Sequence, residues 1–351
     1  MPLRNVKSVR KNCVIFTEAD QLRRWHWPLE KEEISLADLI YFQNGAYLPH
    51  TQAVVNVDSA LAGRGMGVFE GIRGYWNDEE EELYLFRLQE HFERQLRSAK
   101  IARMRIPYTV SELVDIACEV VRRNGFREDV HMRPLAYKAS EQITSKALVM
   151  TALEDGYAIS VNPMGRYMDV KTGIRCAISS WRRVDDNMAP ARAKITGIYI
   201  NSALAKTEAV ERGYDECIFL NAAGKVAEGS GENLFLVKDG KLITPSADQN
   251  ILEGITRRTV IELVAQEWGR EVEQRAVDRT ELYVADEVFL TGSGAEITPV
   301  IEIDERSIGD GTIGSLTSKL QHLYSDVIHG KRKEYFSWLT PCYKVAKAAI
   351  V

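Results

Sequence analysis

Short strand-like segments joined by tight turns are the feature of this sequence that most constrains its fold. Asn44-Gly45 separates two β-prone runs, 39–43 and 46–48, and this arrangement predicts a hairpin with a type I′ turn. Similar strands are predicted at 83–86, 130–139, 174–180, 216–220, 225–228, 233–237, 242–244 and 287–291. Apolar residues at helical spacing predict fewer helices, near 88–99, 109–125, 200–213, 255–269 and 312–329. The pattern lacks a βαβ rhythm and predicts an α+β fold with mainly antiparallel or mixed sheets.

The length of 351 residues fits two domains. Residues 1–37 are interpreted as an N-terminal extension, and residues 38–161 as a smaller α+β domain. The segment 162–173 has turn residues and little periodicity, which predicts an interdomain linker. Residues 174–351 would form the larger, ligand-binding domain. The acidic run 78–82 predicts a solvated turn between strands, because five like charges repel one another.

Composition argues against several classes of function. The formal net charge is −5 without a long basic stripe, so nucleic acid is not expected as a partner. The five cysteines form no Cys-x-x-Cys pair and the six histidines no metal-binding motif. We therefore expect no metal site and no disulfide framework, and a reducing, cytoplasmic compartment. No apolar run approaches ~18 residues, so no membrane span is predicted.

The sequence contains one candidate for a nucleophilic amine and several candidates for binding an anionic ligand. Lys194 lies among small and apolar residues, which favour a neutral amine, and Arg87 stands where a strand meets a helix and could grip a phosphate. The segment 254–256 precedes an amphipathic helix, whose first N–H groups form an anion site. Glu228 and the segment 291–294 lie at glycine-containing turns. Each feature alone is explained as well by a surface charge or an ordinary turn. Taken together, without any resemblance to a known family, they are compatible with an α+β enzyme that binds an anionic ligand.

Seven ordered segments resemble the branched-chain amino acid aminotransferases, which are pyridoxal-phosphate (PLP) enzymes of fold type IV, the D-alanine-aminotransferase type. The resemblance runs from about Tyr41 to Trp338. Its segments are Val68-Phe-Glu-Gly-Ile-Arg73, Phe86-Arg-Leu-Gln-Glu-His91, Met132-Arg-Pro134, Ala193-Lys-Ile-Thr-Gly-Ile-Tyr199, Glu228-Gly-Ser-Gly-Glu-Asn-Leu-Phe235, Gly254-Ile-Thr-Arg257, and Ala285–Gly292 with Ala295–Pro299. It implies a two-domain fold with flanking helices and a homodimer. It also implies transfer of an amino group between an amino acid, L and branched-chain or related, and 2-oxoglutarate or another 2-oxo acid.

The resemblance also implies roles for individual residues. Lys194 would form the internal aldimine with PLP and shuttle the proton between Cα and C4′, Glu228 would bind the pyridine nitrogen, and Tyr199 the ring oxygen. The phosphate would be held by Arg87, the backbone of Ile255 and Thr256, and Ser293. The turn Ser293-Gly294-Ala295 would bind the substrate α-carboxylate. The substrate pocket would be lined by Phe69, Gly71, Arg73, Arg133 and Tyr167.

Four positions depart from the family pattern. Arg64 replaces a tyrosine, His131 a second aromatic residue, Met164 a tryptophan and Ser293 a threonine. Cationic side chains thereby replace part of the apolar, aromatic lining that the substrate pocket has in the family. Because an unpaired buried guanidinium is costly, Arg64 either faces solvent or meets an anionic substrate group. The second alternative predicts a preference for polar or acidic side chains over leucine.

Two other functions remain open. A D-amino acid aminotransferase or an aminodeoxychorismate lyase would share the fold, the lysine and the glutamate. The segments Phe69-Glu-Gly-Ile-Arg73 and Glu232-Asn-Leu-Phe235 favour the branched-chain group. A non-catalytic PLP-binding homologue is the other alternative, and the joint presence of Lys194, Glu228 and Tyr199 with Arg87 argues against it.

Overall fold

The computed structural model describes residues 39–140, 146–165 and 168–344. The predicted N-terminal extension, residues 1–37, lies outside them. The elements that precede residue 165 are β1 (Ile40–Gln43), β2 (Ala46–Pro49), α1 (Ala60–Arg64), β3 (Gly67–Phe69), β4 (Ile72–Asn77), β5 (Glu82–Phe86), α2 (Leu88–Ile101), α3 (Val110–Asn124), β6 (Val130–Lys138) and β7 (Asp155–Pro163).

The later elements begin with β8 (Ile174–Arg182), α4 (Tyr199–Glu211), β9 (Glu216–Leu220), β10 (Val226–Gly229), β11 (Asn233–Lys238), β12 (Lys241–Pro245) and α5 (Ile255–Trp268). They continue with β13 (Glu273–Arg275), α6 (Arg279–Tyr283), β14 (Glu287–Gly292), β15 (Glu296–Ile303), β16 (Arg306–Ser307), α7 (Ser315–Ile328) and β17 (Leu339–Pro341). None of the described helices is both long enough and apolar enough to cross a membrane.

The first sheet has the strand order β17-β5-β4-β6-β7-β1-β2, with β3 paired to β6, and all its described pairings are antiparallel. The predicted hairpin of β1 and β2 is present, and Asn44 (φ 49°) and Gly45 (φ 92°) both have the positive φ of a type I′ turn. Helices α2 and α3 cover one face of this sheet, and their side chains Phe92 and Leu113 are fully buried in its core.

The second sheet has the order β10-β9-β8-β15-β14-β11-β12-β13, with β16 paired to β15. It is mixed, because β8 pairs in parallel with β9 and β15, and β12 with β13. An apolar cluster joins the two halves: Tyr75 and Phe86 of the first sheet pack in it with Phe235 and Phe289 of the second. The result is the predicted α+β architecture, built on one antiparallel and one mixed sheet.

The chain crosses back to the first sheet near its end. Strand β17 pairs with β5, so residues 339–341, which were expected in the larger domain, belong to the first sheet. Hydrogen bonds to Glu82 hold the end of the chain against the first sheet. This glutamate was expected in a solvated turn, but its carboxylate is fully buried and accepts hydrogen bonds from the backbone N–H groups of Leu83, Cys342, Tyr343 and Lys344. That expectation was therefore wrong for the last residue of the acidic run.

Candidate active site

A cavity of about 300 Å³ lies between the two halves of the fold. We call its two sides the N-terminal wall and the C-terminal wall. The N-terminal wall consists of Phe69, Gly71, Arg94, His131, Arg133 and Met164. The C-terminal wall includes Arg183, Lys194, Tyr199, Ser202, Glu228, Asn233, Leu252, Ile255, Thr256, Thr291, Ser293 and Gly294.

Lys194 enters the cavity from the segment between β8 and α4. Its backbone is fixed at two points, because its carbonyl accepts from the Phe69 N–H (3.0 Å) and its own N–H donates to Ser98 Oγ (3.3 Å). The amine Nζ donates to the Tyr199 hydroxyl at 2.6 Å and lies 5.0 Å from the centre of the Phe69 ring. The amine is thus held at one place beside a phenol and an aromatic face.

Glu228 is the buried carboxylate of the C-terminal wall. It pairs with Arg183 (Oε1 to Nη2, 2.8 Å) and accepts from Asn233 Nδ2 and the Leu252 N–H, each at 3.0 Å. Burial raises its pKa, while Arg183, Leu252 and Lys194 oppose the shift. A cationic or N–H-donating ligand group beside Glu228 would favour the ionised carboxylate further.

An anion-binding corner lies where α5 begins. Its N-cap is Gly254, which has no side chain to satisfy the first helical N–H groups, including those of Ile255 and Thr256. A Cβ on Gly254 would lie 2.0 Å from Asn233 Oδ1, so only glycine fits there. Ser293 lies in the same cavity lining, and the buried Thr291 hydroxyl has no hydrogen-bond partner in the described part of the chain. These donors would suit a phosphate.

The arginine at this cavity is Arg94 and not Arg87. Arg87 begins α2 in the left-handed conformation (φ 47°), and its guanidinium pairs with Glu90 (3.1 Å) and Glu262 and stacks on Trp338. Its charge is satisfied away from the cavity, so the geometry does not support the phosphate contact expected of Arg87. Arg94, further along α2, lines the cavity instead.

A sequence signal for Arg94 existed but was missed. Positions 88, 91, 92, 95, 98 and 99 of α2 face the core, and Arg94 falls on this buried side of the helix. A guanidinium on the inner face of an amphipathic helix needs a partner, and that requirement distinguishes it from a surface charge. Arg183 and Asn233, which hold Glu228, were missed as well, although Asn233 lies in one of the family-like segments.

The N-terminal wall carries polar groups of another kind. His131 lies against Gly71, where a Cβ would come within 3.0 Å of its Nε2, and burial together with Arg133, Arg73 and Lys194 lowers its pKa to about 4. The imidazole is therefore neutral near pH 7. The exposed guanidinium of Arg133 lies 5.5 Å from the centre of the Phe69 ring, and no ion pair forms between Arg133 and another described residue.

Three further predicted site residues, all in the described part of the chain, do not line the cavity: Arg73, Ala295 and Arg64. Arg73 is buried and donates to the Gly165 carbonyl (2.9 Å), with Asp129 at 3.5 Å. Ala295 is buried and, unlike Ser293 and Gly294, is not part of the cavity lining. Arg64 is exposed at the end of α1, beside a separate apolar depression. Tyr167 lies outside the described residues.

Side chains that could bind a metal are dispersed. Within residues 39–140, 146–165 and 168–344, no group of three or more His, Cys, Asp or Glu side chains is placed to hold an ion.

Comparison with known proteins shows which family has chains similar to this one. The model of the class IV amino-transferases matches residues 67–303. The probable branched-chain-amino-acid aminotransferase of Aquifex aeolicus is 50% identical over 306 residues, 87% of this chain and 97% of the relative. The branched-chain-amino-acid aminotransferase of Pseudomonas aeruginosa is 39% identical over 312 residues, 88% of this chain and 99% of the relative.

Solved structures agree with this placement. The branched-chain aminotransferase of Thermoproteus uzoniensis with norvaline has a TM-score of 0.82 at 48% identity, covering 87% of this chain and 99% of that one. The branched-chain amino acid aminotransferase of Thermobaculum terrenum, in its PLP form, has a TM-score of 0.82 at 40% identity, covering 87% and 99%. Because both neighbours match over nearly their full length, the likeness is not confined to one of the two sheets.

Proposed function

Because this chain belongs to the branched-chain aminotransferase family of the class IV amino-transferases, we propose that it moves the amino group of a branched-chain or related L-amino acid to 2-oxoglutarate or another 2-oxo acid. It is a PLP-dependent transaminase. One observation supports the substrate proposal: a single cavity contains the Lys194 amine, the buried Glu228 carboxylate and the anion-binding corner. The N-terminal wall of the same cavity has both apolar and cationic side chains. Relatives up to 50% identical carry the branched-chain name, which favours this reading over the D-amino acid and lyase alternatives.

The residues present fit PLP. Bound PLP supplies an aldehyde that takes up the amino group and a ring that withdraws electrons from the substrate Cα–H bond. The anion corner offers the N–H groups of Ile255 and Thr256, the Ser293 hydroxyl and the Arg94 guanidinium to a phosphate. The Thr291 hydroxyl, which lacks a partner among the described residues, is a further donor toward the same group.

Lys194 is the residue we assign to covalent attachment of the cofactor and to proton movement at the substrate Cα. Among the described lysines, it alone lines the cavity. Its contact with Tyr199 at 2.6 Å holds Nζ in one orientation, and the two backbone hydrogen bonds keep the segment from shifting. A fixed amine can both give and take a proton at one carbon, which general acid–base catalysis requires.

Glu228 is the residue we assign to the ring nitrogen. Its carboxylate lies in the same cavity as the amine, and Arg183, Asn233 and the Leu252 N–H fix its position. A protonated ring nitrogen beside this carboxylate would be stabilised by the opposite charge. A protonated ring withdraws electrons more strongly than a neutral one.

The N-terminal wall supports both apolar and acidic substrates. Phe69 and Met164 offer apolar surface, whereas Arg133 and His131 offer a cation and a neutral imidazole. A transaminase that alternates between an aliphatic amino acid and 2-oxoglutarate must accept both side chains in turn. We assign the binding of the α-carboxylate to the turn at Ser293 and Gly294.

We propose further that the enzyme is a cytoplasmic homodimer. An apolar depression includes Ile200, which is 65% exposed, together with Ile101, Ile198 and Arg64. An exposed apolar surface of this kind suits an interaction with another protein. A second copy that covers the depression would bury Ile200 and bring Arg64 into an interface. The support for a reducing compartment is the pattern of the five cysteines, which are odd in number and form no Cys-x-x-Cys pair.

A donor screen tests the proposed function. The purified protein, loaded with PLP, is given L-leucine, L-valine, L-glutamate, D-alanine or D-glutamate with a 2-oxo acid acceptor, and the product amino acids are separated by chirality. We expect turnover with the L-donors, including at least one branched-chain residue. Turnover confined to D-donors, or pyruvate release from aminodeoxychorismate, would replace the proposal by one of its alternatives.

A further inference from the structure

Two polar positions of the family-like segments have no role in the chemistry assigned so far: Glu70, in Val68–Arg73, and His91, in Phe86–His91. The structure brings them together. Glu70 follows β3 directly, its side chain is fully buried, and its N–H donates to the Pro134 carbonyl (2.9 Å). His91 is buried on the inner face of α2.

Both groups meet at a pair formed with Arg94. Arg94 Nε donates to Glu70 Oε1 at 2.8 Å and Nη2 to Oε2 at 2.5 Å, which is a two-pronged guanidinium–carboxylate pair. His91 Nδ1 lies 2.8 Å from the same Oε2. The pairing outweighs the effect of burial and lowers the pKa of Glu70 to about 2, so the carboxylate is ionised. An ionised carboxylate only accepts, and His91 Nδ1 must therefore carry the proton.

The network also fixes Arg94 against the other half of the fold. Nη1 donates to the Glu253 carbonyl at 3.1 Å, and Glu253 directly precedes Gly254, the N-cap of α5. One edge of the guanidinium is thus occupied by Glu70, and its tip is anchored at the anion corner. The remaining N–H groups on Nη1 and Nη2 can point to a ligand in the cavity that Arg94 lines.

The charges show what Glu70 contributes. Burial lowers the pKa of His91, so the imidazole is neutral near pH 7, and the charges of Glu70 and Arg94 cancel. The Arg94 guanidinium therefore lies at the cavity in a fixed orientation, and its positive charge is balanced by the Glu70 carboxylate. Orientation, more than excess positive charge, is what the network gives to an anion bound there.

We propose that Glu70, with His91, is a positioning residue that holds Arg94 in the orientation that binds the cofactor phosphate. The proposal rests on the proposed function only in taking the anion corner as the phosphate site. Glu70 touches neither the substrate nor the cavity, and it acts through Arg94 alone.

Glu70→Gln tests the proposal, since it keeps the shape and removes the charge and one acceptor. We expect the Kd for PLP to rise about tenfold to a hundredfold, because one partner of a buried pair is lost. The rise in Tm that inorganic phosphate causes in the apo-protein should shrink in parallel. At saturating PLP, kcat should stay within about threefold of wild type, because Glu70 takes no part in proton transfer.

A double-mutant cycle and a matched control complete the design. Arg94→Lys should weaken PLP binding to a similar extent, and Glu70→Gln combined with Arg94→Lys should cost little more than either change alone. Glu262→Gln removes a partner of Arg87, outside the cavity, and should leave the Kd for PLP unchanged. If Glu70→Gln does not fold, Glu70→Asp decides, because it keeps the charge but cannot keep both prongs of the pair.

The outcomes separate the two proposals. Wild-type affinity for PLP and phosphate in Glu70→Gln or Glu70→Asp, or fully additive losses in the cycle, would overturn the positioning role even in an active transaminase. A protein that shows the expected affinity losses but transaminates none of the donors would leave the positioning role standing and remove the proposed function.

Discussion

The two walls of the cavity satisfy their polar groups in different ways. On the C-terminal wall, Glu228 is surrounded by three protein donors, and Lys194 donates to Tyr199. On the N-terminal wall, Arg94 is held by Glu70, but the side chains of His131 and Arg133 form no hydrogen bond with any residue that the structure describes. The groups around Glu228 and Lys194 are thus held in place by the protein itself, whereas the side chains of His131 and Arg133 are left for a ligand to contact.

The largest expected effect comes from the amine of the C-terminal wall. Lys194→Ala should abolish transamination and prevent a covalent pyridoxyl adduct after borohydride reduction, because the described cavity holds no second lysine. Mass spectrometry of the reduced protein is the measurement, with wild type as the control. An adduct on another lysine in the variant would mean that the assignment is wrong.

A smaller loss is expected at the carboxylate of the same wall. Glu228→Gln removes the charge that would keep the ring nitrogen protonated, so turnover should fall by at least ~10², the scale of a proton-transfer contribution. Steady-state kinetics at full cofactor loading measures the effect, with loading checked by absorbance. Turnover close to wild type in the loaded variant would take Glu228 out of this role.

Changes on the N-terminal wall should alter selectivity more than rate. Arg133→Met should lower kcat/KM for glutamate relative to leucine by about tenfold, because it removes from the cavity a cation that pairs with no described acidic residue. Arg64→Tyr is the informative comparison, since Arg64 lies outside the cavity of its own chain. If a second copy brings Arg64 to the substrate, this ratio should also fall, by about threefold, and otherwise it should not change.

The smallest effect concerns the acid stability of the same wall. His131 has a pKa of about 4 in the fold against 6.5 when unperturbed, so the unfolded chain binds a proton that the folded chain does not. Stability is therefore lost as pH falls from about 6.5 towards 4. His131→Phe should reduce the drop in Tm between pH 7 and pH 5 by about 2 °C. An unchanged drop would show that His131 is not buried among these cations.

Local sequence patterns predicted much of the fold because they act over a few residues. The Asn44-Gly45 turn has the expected backbone, and the helix expected near 109–125 is present as α3, where Thr109 and Glu112 form a capping box. Pairings between distant segments leave no such pattern. The return of β17 to β5 and the burial of Glu82 depend on residues about 260 positions apart, and no short-range rule indicates them.

The candidate site shows the same limit. Lys194, Glu228 and Tyr199 were named from family-like segments, and the structure places all three at the cavity. Arg87 and Arg94 lie on one helix, and their difference is decided by what surrounds them. Arg87 pairs with Glu262 and stacks on Trp338, whereas Arg94 pairs with Glu70 and lines the cavity. Helix periodicity identifies the inner face, but it does not say which inner cation meets a ligand.

The return of β17 to the first sheet has a consequence for synthesis. A ribosome adds Cys342 260 residues after Glu82, and until then this carboxylate lacks three of its four backbone donors. During that interval β5 is an unpaired sheet edge, which is a site for wrong pairing with another nascent chain. The N-terminal half therefore cannot mature first and wait for the rest. Its edge closes only when the end of the second half arrives.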